Sequence, residues 1–325
     1  MARYQYDIAL DLGSANVAAI APGRGAVVCE PSVVAVHDPS GTLVTWGTKA
    51  MELSESNPGQ YRLVNVVRSG VAARRPLALF LVSSVIQDVC GSRRVARARA
   101  ILKVAAAPNP LELRAIWELA KGAGLKPAAI VEAPLVAALG WRACHHDDGA
   151  YAIADVGAGC TDIAVLRKWA VLSHFRLSTA MDCVDADIQS AVRNAYRVWV
   201  TLNEARRARE ARTGASEQIL AVRGRNIDSG LPCAIGVAGK VIDVAVDRGA
   251  DRIANAIKGA CCGMQVHSAM IAGGGALQRG LAARVAESLP IPSIIPPDPD
   301  MVAARGLAYV TEHGVPCVTN AAVGV

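Results

Sequence analysis

The sequence lacks the cysteine spacing that builds zinc sites and disulfide frameworks. Its nine cysteines, an odd number, are scattered at irregular intervals, and none of them forms a Cys-x-x-Cys pair. This pattern argues against a zinc centre of the usual kind and against a disulfide-stapled domain. We therefore expect a protein of a reducing compartment, the cytoplasm.

Long apolar runs are also missing. No stretch reaches eighteen uninterrupted apolar residues, so the sequence predicts no membrane-spanning helix. The first apolar segment breaks at Asp11 and Gly13, which makes it too short for a signal peptide. Hydrophobic residues nevertheless form 52% of the 325 residues, enough for two domains with real cores. The net charge of +6 is spread along the chain, and we expect no nucleic-acid partner.

The order of the predicted elements indicates an α/β protein made of two related halves. Apolar runs at 8–12, 26–29 and 32–36 predict consecutive strands of a meander. A β-α-β-α order from residue 100 to the helix that starts at Pro134 predicts a partly parallel sheet. The first strand and its Asp-Gly turn recur about 144 positions later. Two such halves facing each other would form a cleft.

The repeated turns carry the chemistry of phosphate binding. Residues 11–16 read Asp-Leu-Gly-Ser-Ala-Asn, and residues 155–162 read Asp-Val-Gly-Ala-Gly-Cys-Thr-Asp. Small residues let backbone N–H groups approach phosphate oxygens, and an Asp at each strand end could hold Mg²⁺ through its water ligands. Asp11 and Asp155 are therefore the predicted metal pair. Taken alone, the first turn is better explained as an ordinary β-hairpin.

A third glycine-rich turn follows a later strand. Gly273, Gly274 and Gly275 lie between an apolar run at 269–271 and a predicted helix that includes Leu281 and Val285. Three glycines would let a flat ligand lie on the backbone. A plain strand-to-helix loop is the alternative.

Together the three turns resemble those of actins, sugar kinases and heat-shock chaperones, and within this group the chain resembles the MreB family of bacterial actins. Residues 8–17 (IALDLGSANV) are similar to that family's IDLGTANT, and residues 29–35 (CEPSVVA) to its NEPSVVA. Residues 222–232 (VRGRNIDSGLP) resemble VRGRDLxTGLP, and residues 273–281 (GGGALQRGL) resemble GGGALLRGL. The VRGR…GLP segment belongs to this branch and is not found in the kinases or chaperones.

The resemblance implies an actin-like α/β fold of the duplicated ribonuclease H type. Two domains, each with a mixed sheet flanked by helices, would form four subdomains around an ATP cleft. The boundaries it implies are 1–30, 67–148 and 309–325 for subdomain IA, 31–66 for IB, 149–180 and 238–308 for IIA, and 181–237 for IIB.

The resemblance also implies cofactors and partners. The cofactors are ATP and Mg²⁺, and the main partner is the chain itself, in protofilaments linked to cell shape or cell-wall synthesis. Other MreB-type actins and membrane cell-shape proteins are further implied partners. The family works at the inner face of the cell membrane. Here residues 90–97 are basic with few large apolar groups, which suits contact with an anionic membrane surface and not insertion.

Carried over position by position, the resemblance assigns phosphate contacts to both Asp-Gly turns and adenine contacts to the triple glycine. The ribose pair of the family, Glu-x-x-Lys, corresponds to Glu204 and Arg207, and a two-residue shift would place Arg206 and Arg209 there instead. The full predicted ATP-binding set is Asp11, Gly13, Ser14, Ala15, Asn16, Asp155, Gly157, Ala158, Gly159, Cys160, Thr161, Glu204, Arg207, Gly273, Gly274, Gly275, Ala276 and Leu277.

One departure from the family concerns catalysis. Where the family has Glu-Glu-Pro, with the water-orienting group just before Pro, this chain has Glu132, Ala133 and Pro134. Neighbouring side chains in an extended segment point to opposite faces, so Glu132, the candidate catalytic residue, should not simply replace residue 133. We expect slow ATP hydrolysis or none. Glu132 could instead be a structural carboxylate at the start of the following helix.

Three functions remain open from the sequence. The leading one is an ATP-binding, filament-forming cytoskeletal protein. The second is a non-polymerising regulatory or adaptor relative of a true filament protein. The third is a small-molecule kinase of the same fold, which is disfavoured because no motif for a catalytic Asp beside a sugar site is found.

Overall fold

The first half of the chain builds a five-stranded mixed sheet. The computed structural model describes residues 6–21, 26–57, 59–68, 70–72, 74–91, 98–141 and 149–314. In the described part of the first half, the strand order is β10-β9-β1-β2-β3. The strands are β1 (Ile8–Leu12), β2 (Asn16–Ala21), β3 (Ala26–Pro31), β9 (Arg99–Val104) and β10 (Lys126–Glu132).

The second half repeats this plan. Its described residues form a second five-stranded sheet in the order β13-β12-β11-β17-β18. In each sheet the first strand is antiparallel to the next strand along the chain and parallel to a later one. The predicted duplication is therefore present in the backbone. The strands are β11 (Ala150–Val156), β12 (Thr161–Arg167), β13 (Ala170–Leu177), β17 (Val266–Ala272) and β18 (Ser293–Ile294).

The described residues form three smaller sheets outside these two, and one of them shows that the predicted meander is wrong. Residues 32–36 do not follow β3 in the first sheet, because β4 (Val33–His37) pairs with β5 and β6 in a separate sheet. The chain turns away at the buried Ser32, whose N–H donates to the Ala15 carbonyl (2.8 Å) and whose hydroxyl donates to the Gly13 carbonyl (2.7 Å). The strands are β5 (Thr42–Trp46), β6 (Tyr61–Asn65), β7 (Val67–Arg68), β8 (Val71–Ala72), β14 (Val198–Trp199), β15 (Ile219–Asn226) and β16 (Pro232–Ala238).

The helices cover the sheets and follow local signals. A capping box starts the third helix, because the Asn109 side chain accepts from the Glu112 N–H and Glu112 accepts from the Asn109 N–H. No helix in the described ranges is both long and apolar enough to cross a membrane. The helices are α1 (Gly47–Ser56), α2 (Arg75–Cys90), α3 (Pro110–Gly122), α4 (Ala133–Trp141), α5 (Met181–Tyr196), α6 (Leu202–Glu210), α7 (Gly239–Cys261), α8 (Leu281–Ser288) and α9 (Val302–His313).

Helices α4 and α9 join the two halves. Both belong to a core cluster that also contains buried residues of both large sheets. The helices cross at two glycines. A Cβ on Gly140 would overlap the Val302 carbonyl, and a Cβ on Gly306 would overlap the Val136 carbonyl. The crossing is therefore a reciprocal backbone-to-backbone contact that admits no side chain at either glycine.

Candidate functional site

The two Asp-Gly turns have the same backbone construction. A Cβ on Gly13 would lie 2.6 Å from the Asn16 carbonyl oxygen, and one on Gly157 would lie 2.9 Å from the Cys160 carbonyl oxygen. Each glycine therefore allows its turn to close tightly over the residue three positions later. The first turn connects β1 to β2, and the second connects β11 to β12. The two turns therefore lie at equivalent places in the two halves.

Both turns line one cleft of about 430 Å³. The third turn lines it as well, so the structure brings together the three glycine-rich segments that the sequence singled out. The predicted residues that line the cleft are Asp11, Gly13, Ser14, Ala15, Asn16, Asp155, Gly157, Ala158, Gly159, Cys160, Gly273, Gly274 and Gly275.

The triple glycine packs directly on the second turn. Gly273 has a φ of 88°, and a Cβ there would overlap Asp155 Oδ1 and lie 2.5 Å from the Val156 carbonyl oxygen. A Cβ on Gly275 would lie 2.5 Å from Val156 Cγ1. Gly273 and Gly275 are thus required by close packing on Asp155 and Val156, whereas a Cβ on Gly274 would meet nothing within 4 Å. The flat ligand stays a prediction.

Three predicted residues next to the turns do not line the cleft. Thr161 is buried, and its hydroxyl donates to the Thr179 carbonyl oxygen (2.7 Å), which gives it a structural role. Ala276 and Leu277 continue the triple glycine as a 3₁₀ turn (Gly274–Leu277), and the Leu277 side chain is exposed to solvent. The cleft wall therefore ends at Gly275.

The two candidate ribose pairs on α6 differ in whether they line the cleft. Glu204 Oε1 accepts from the Arg223 N–H (2.8 Å), and the exposed Arg207 lies near Glu55, outside the cleft lining. The side chains of α6 that line the cleft are Arg206, Arg209 and Glu210. The residues of the shifted register, Arg206 and Arg209, thus line the cleft, whereas Glu204 and Arg207 do not, and the ribose contact itself stays a prediction.

The two arginines are held by acids of α5. The buried Arg209 donates to both oxygens of Asp185 (2.6 and 3.3 Å) and to Gln278 Oε1 (2.7 Å). Arg206 donates to Asp182 (2.8 Å) and to Asp185 (3.3 Å). These pairs fix the position of two guanidinium groups at this wall of the cleft.

Glu132 and Ala133 face different surroundings, as expected for neighbours at the end of a strand. Glu132 Oε2 lies 2.6 Å from His174 Nδ1 and accepts from the Ala107 N–H (3.1 Å). Ala133, the first residue of α4, lines the cleft, whereas Glu132 does not. Glu132 is thus hydrogen-bonded to β13 and to the loop after β9. At residue 133 the cleft wall has only the methyl group of Ala133.

Lys103 is a charged cleft residue that the sequence analysis did not select. Its Nζ lies 2.9 Å from Asp11 Oδ2 and 3.7 Å from Asp155 Oδ2. Burial alone would lower the pKa of Lys103, but the attraction of Asp11 and Asp155 outweighs it and raises the pKa above its usual value, so the group is charged. A lone Lys within the apolar run Ile-Leu-Lys-Val was the available signal.

A series of charged side chains connects the two halves beside the second turn. Asp162 accepts from the Ala106 N–H (2.7 Å) and lies 3.9 Å from Arg176 Nε, while Arg176 donates to both oxygens of Glu112 (2.9 and 3.1 Å). Burial, with repulsion from Asp155, raises the pKa of Asp162 to about 6. The hydrogen bonds from Arg176 lower the pKa of Glu112.

The predicted Mg²⁺ pair does not fit a hydrated divalent ion. Asp11 and Asp155 both face the cleft, but the Lys103 ammonium lies between their carboxylates. Within the described ranges, no group of three or more His, Cys, Asp or Glu side chains could hold a metal ion. Mg²⁺ is usually bound through one or two carboxylates and retained waters, and Lys103 competes for both carboxylates.

Comparison with known proteins decides the family. The model of the MreB/Mbl protein family matches residues 5–316. The chain belongs to the MreB/Mbl family. It is 28% identical to the cell shape-determining protein Mbl of Bacillus cereus, over 94% of this chain and 96% of the relative. It is 27% identical to the cell shape-determining protein MreB of Escherichia coli, over 96% of each. This member is therefore a bacterial actin homologue of the cell-shape type.

Solved structures show the same fold. MreB5 of Spiroplasma citri bound to AMPPNP matches with a TM-score of 0.81 at 24% identity, over 93% of this chain and 95% of that one. MamK, in a double helical filament, matches with a TM-score of 0.79 at 21% identity, over 94% and 98%. The predicted actin-like α/β fold is thus confirmed.

Proposed function

We propose that this MreB/Mbl family member binds ATP in the cleft between its halves, assembles into filaments and hydrolyses ATP slowly. The observation that carries the proposal is the convergence of two matched Asp-Gly turns and a bare triple-glycine wall on one cleft. Backbone N–H groups of tight turns bind phosphate oxygens, and backbone without side chains accepts a flat base. MreB5 bound to AMPPNP and to ADP, and MamK as a filament, support the proposal.

The adenosine end of the ligand is assigned to the wall formed by Gly274, Gly275, Arg206 and Arg209. The two arginines would offer donors to a ribose or a phosphate, whereas the family's Glu would accept from a ribose hydroxyl. Mg²⁺, which the resemblance implies, is not part of this proposal because Lys103 lies between its predicted ligands. The four-subdomain division remains a prediction.

Slow hydrolysis follows from Ala133. A methyl group cannot orient the attacking water, and positioned acid or base groups contribute about 10²- to 10⁴-fold to such reactions. Ala133→Glu should therefore raise the rate of phosphate release by about tenfold or more. The rate is measured with purified protein at saturating ATP.

Glu132→Gln is the matched substitution at the neighbouring residue. Because Glu132 is bonded to His174 and Ala107 outside the cleft lining, the low rate of phosphate release should persist in this variant. A fall to background would make Glu132 the water-orienting group. That result, or fast turnover by the unsubstituted protein, would contradict the proposed role of residue 133.

Filament formation is tested by sedimentation and by electron microscopy with and without ATP. ATP-dependent pelleting is the expected result. A protein that binds ATP but stays in the supernatant at every concentration would instead be a non-polymerising relative that acts on another filament. Other MreB-type actins and membrane cell-shape proteins are the further partners that we propose.

Membrane contact remains a proposal that rests on the basic segment at 90–97, of which residues 92–97 lie outside the described residues. Salt-sensitive flotation on anionic vesicles, and little on neutral ones, is expected from an electrostatic contact. Equal flotation on both, unchanged by salt, would contradict it.

A further inference from the structure

Lys103 is a buried cation at the meeting point of the two phosphate turns. It is the register partner of Asp11 in the parallel pair β1 and β9. Its side chain is 14% exposed, and those of Asp11 and Asp155 are 19% and 10% exposed. The ammonium thus contacts one carboxylate from each half and also lines the cleft.

The duplicated plan shows that the fold does not require this lysine. In the second half, the register partner of Asp155 on the equivalent parallel strand is Ala272. The same strand pairing therefore forms with a methyl group at this place. Lys103 is an addition to the duplicated plan, made on one side of the cleft.

An ammonium can do part of the work of a divalent ion at phosphates. It offers three N–H donors and acts as a point charge for phosphate oxygens. The hydrogen bond to Asp11 uses one donor, so another can reach a ligand in the cleft. A hydrated Mg²⁺ bound through the same carboxylates would have to displace the ammonium or lie beside a like charge.

We propose that Lys103 is the resident cation of the cleft: its ammonium, held between Asp11 and Asp155, contacts the nucleotide phosphates in place of a carboxylate-bound divalent ion, so that nucleotide binding does not require Mg²⁺. The inference rests on the proposed function, because it concerns how ATP is held. The opposing possibility is that Lys103 locks an empty cleft and is displaced when Mg²⁺ and ATP enter together.

Calorimetric titration with ATP, in excess MgCl₂ and in excess EDTA, separates these possibilities with the unsubstituted protein alone. We expect the dissociation constant for ATP to change by less than about threefold between the two buffers. A tenfold change would correspond to about 1.4 kcal/mol of binding free energy. A loss of about tenfold or more in EDTA would overturn the proposal and support the lock. Binding in neither buffer would overturn the proposed function as well, and so the two failures are distinguishable.

Lys103→Met provides the second arm, because it keeps the length of the side chain and removes the charge. With the carboxylates released, binding should become Mg²⁺-dependent by about tenfold or more. Lys121→Met is the matched control, since Lys121 lies on the exposed face of α3 beside Glu118, and removes the same charge away from the cleft. This control should behave like the unsubstituted protein.

Titration of MgCl₂ without ATP supplies an independent readout. The unsubstituted protein should give no saturable heat, and Lys103→Met should bind the ion. Saturable Mg²⁺ binding by the unsubstituted protein would overturn the proposal. If circular dichroism shows that Lys103→Met is unfolded, the two titrations of the unsubstituted protein still decide the question.

Discussion

The two halves of the molecule share a backbone plan but differ in the charges placed on it. Asp11 and Asp155 end matching strands, yet Asp11 has Lys103 as its parallel neighbour and Asp155 has Ala272. Opposite Asp155 on the antiparallel side lies the buried Asp162, where the first half has Ala18 opposite Asp11. The comparison teaches that the duplicated framework fixes where a ligand can lie, while single substitutions on either side set the electrostatics of the site.

The largest expected effect on stability concerns the crossing of α4 and α9, which joins the two halves. Gly140→Ala and Gly306→Ala should each lower the free energy of unfolding by about 3 kcal/mol, because the new methyl group forces α4 and α9 apart. Chemical denaturation measures both. Similar losses are expected, since each glycine meets the carbonyl of the other helix.

Gly259→Ala in α7 is the matched control for these substitutions. A Cβ there meets nothing within 4 Å, so alanine should be neutral or stabilise the helix by up to about 1 kcal/mol. A loss at only one of the two crossing glycines would show that the contact is not reciprocal.

The next effect concerns the acid that only the second half carries, Asp162. Its pKa is raised to about 6, so as the pH rises from about 4 to 6 the unfolded chain releases this proton while the folded protein retains it. The free energy of unfolding should therefore fall by about 2 kcal/mol from this group as the pH rises over this range. Asp162→Asn keeps an acceptor for the Ala106 N–H and should lack this fall.

Unfolding curves of both proteins across this pH range provide the measurement, and the difference between them isolates residue 162. Parallel dependence on pH would show that the carboxyl is ordinary in the folded protein.

The smallest effect concerns the helices that follow the parallel strands. In the first half the Asn109 capping box precedes α3, whereas in the second half the N-cap residue of α8 is Gly280, which provides no side-chain cap. Asn109→Ala should cost about 1 kcal/mol of stability, as lost caps do. Asn109→Gly, which makes the first half like the second, should cost only a few tenths. Equal losses in thermal or chemical unfolding would contradict a capping role.

Much of this architecture was predictable from short-range patterns. Strand ends marked by Asp and Gly, repeated about 144 positions apart, predicted the duplication and two of the turns that line the cleft. The run of three glycines predicted the third turn. Helices α3 and α8 lie where the order of strand-like and helical runs predicted them. These features depend on residues that are close together in the sequence.

The rest depended on contacts between distant residues. His174 binds Glu132 from 42 positions away, and Lys103 meets Asp11 only because β9 pairs with β1. In α6 the Arg-rich run allowed two equally spaced pairs, and the burial of Arg209 against Asp185 determines which side chains of the helix face the cleft. Neither a pairing register nor a helix rotation in a polar segment is determined by local spacing.

The contacts between the first half and strands β12 and β13 have a mechanical consequence. Asp162 with the Ala106 N–H, Arg176 with Glu112, and His174 with Glu132 tie the halves together beside the cleft. Rotating the halves apart at this edge therefore breaks polar and charged hydrogen bonds instead of sliding apolar surfaces. Opening between the halves should thus become easier at higher ionic strength. Salt weakens the more exposed contact of Arg176 with Glu112 and has little effect on the hydrogen bond of the buried Asp162.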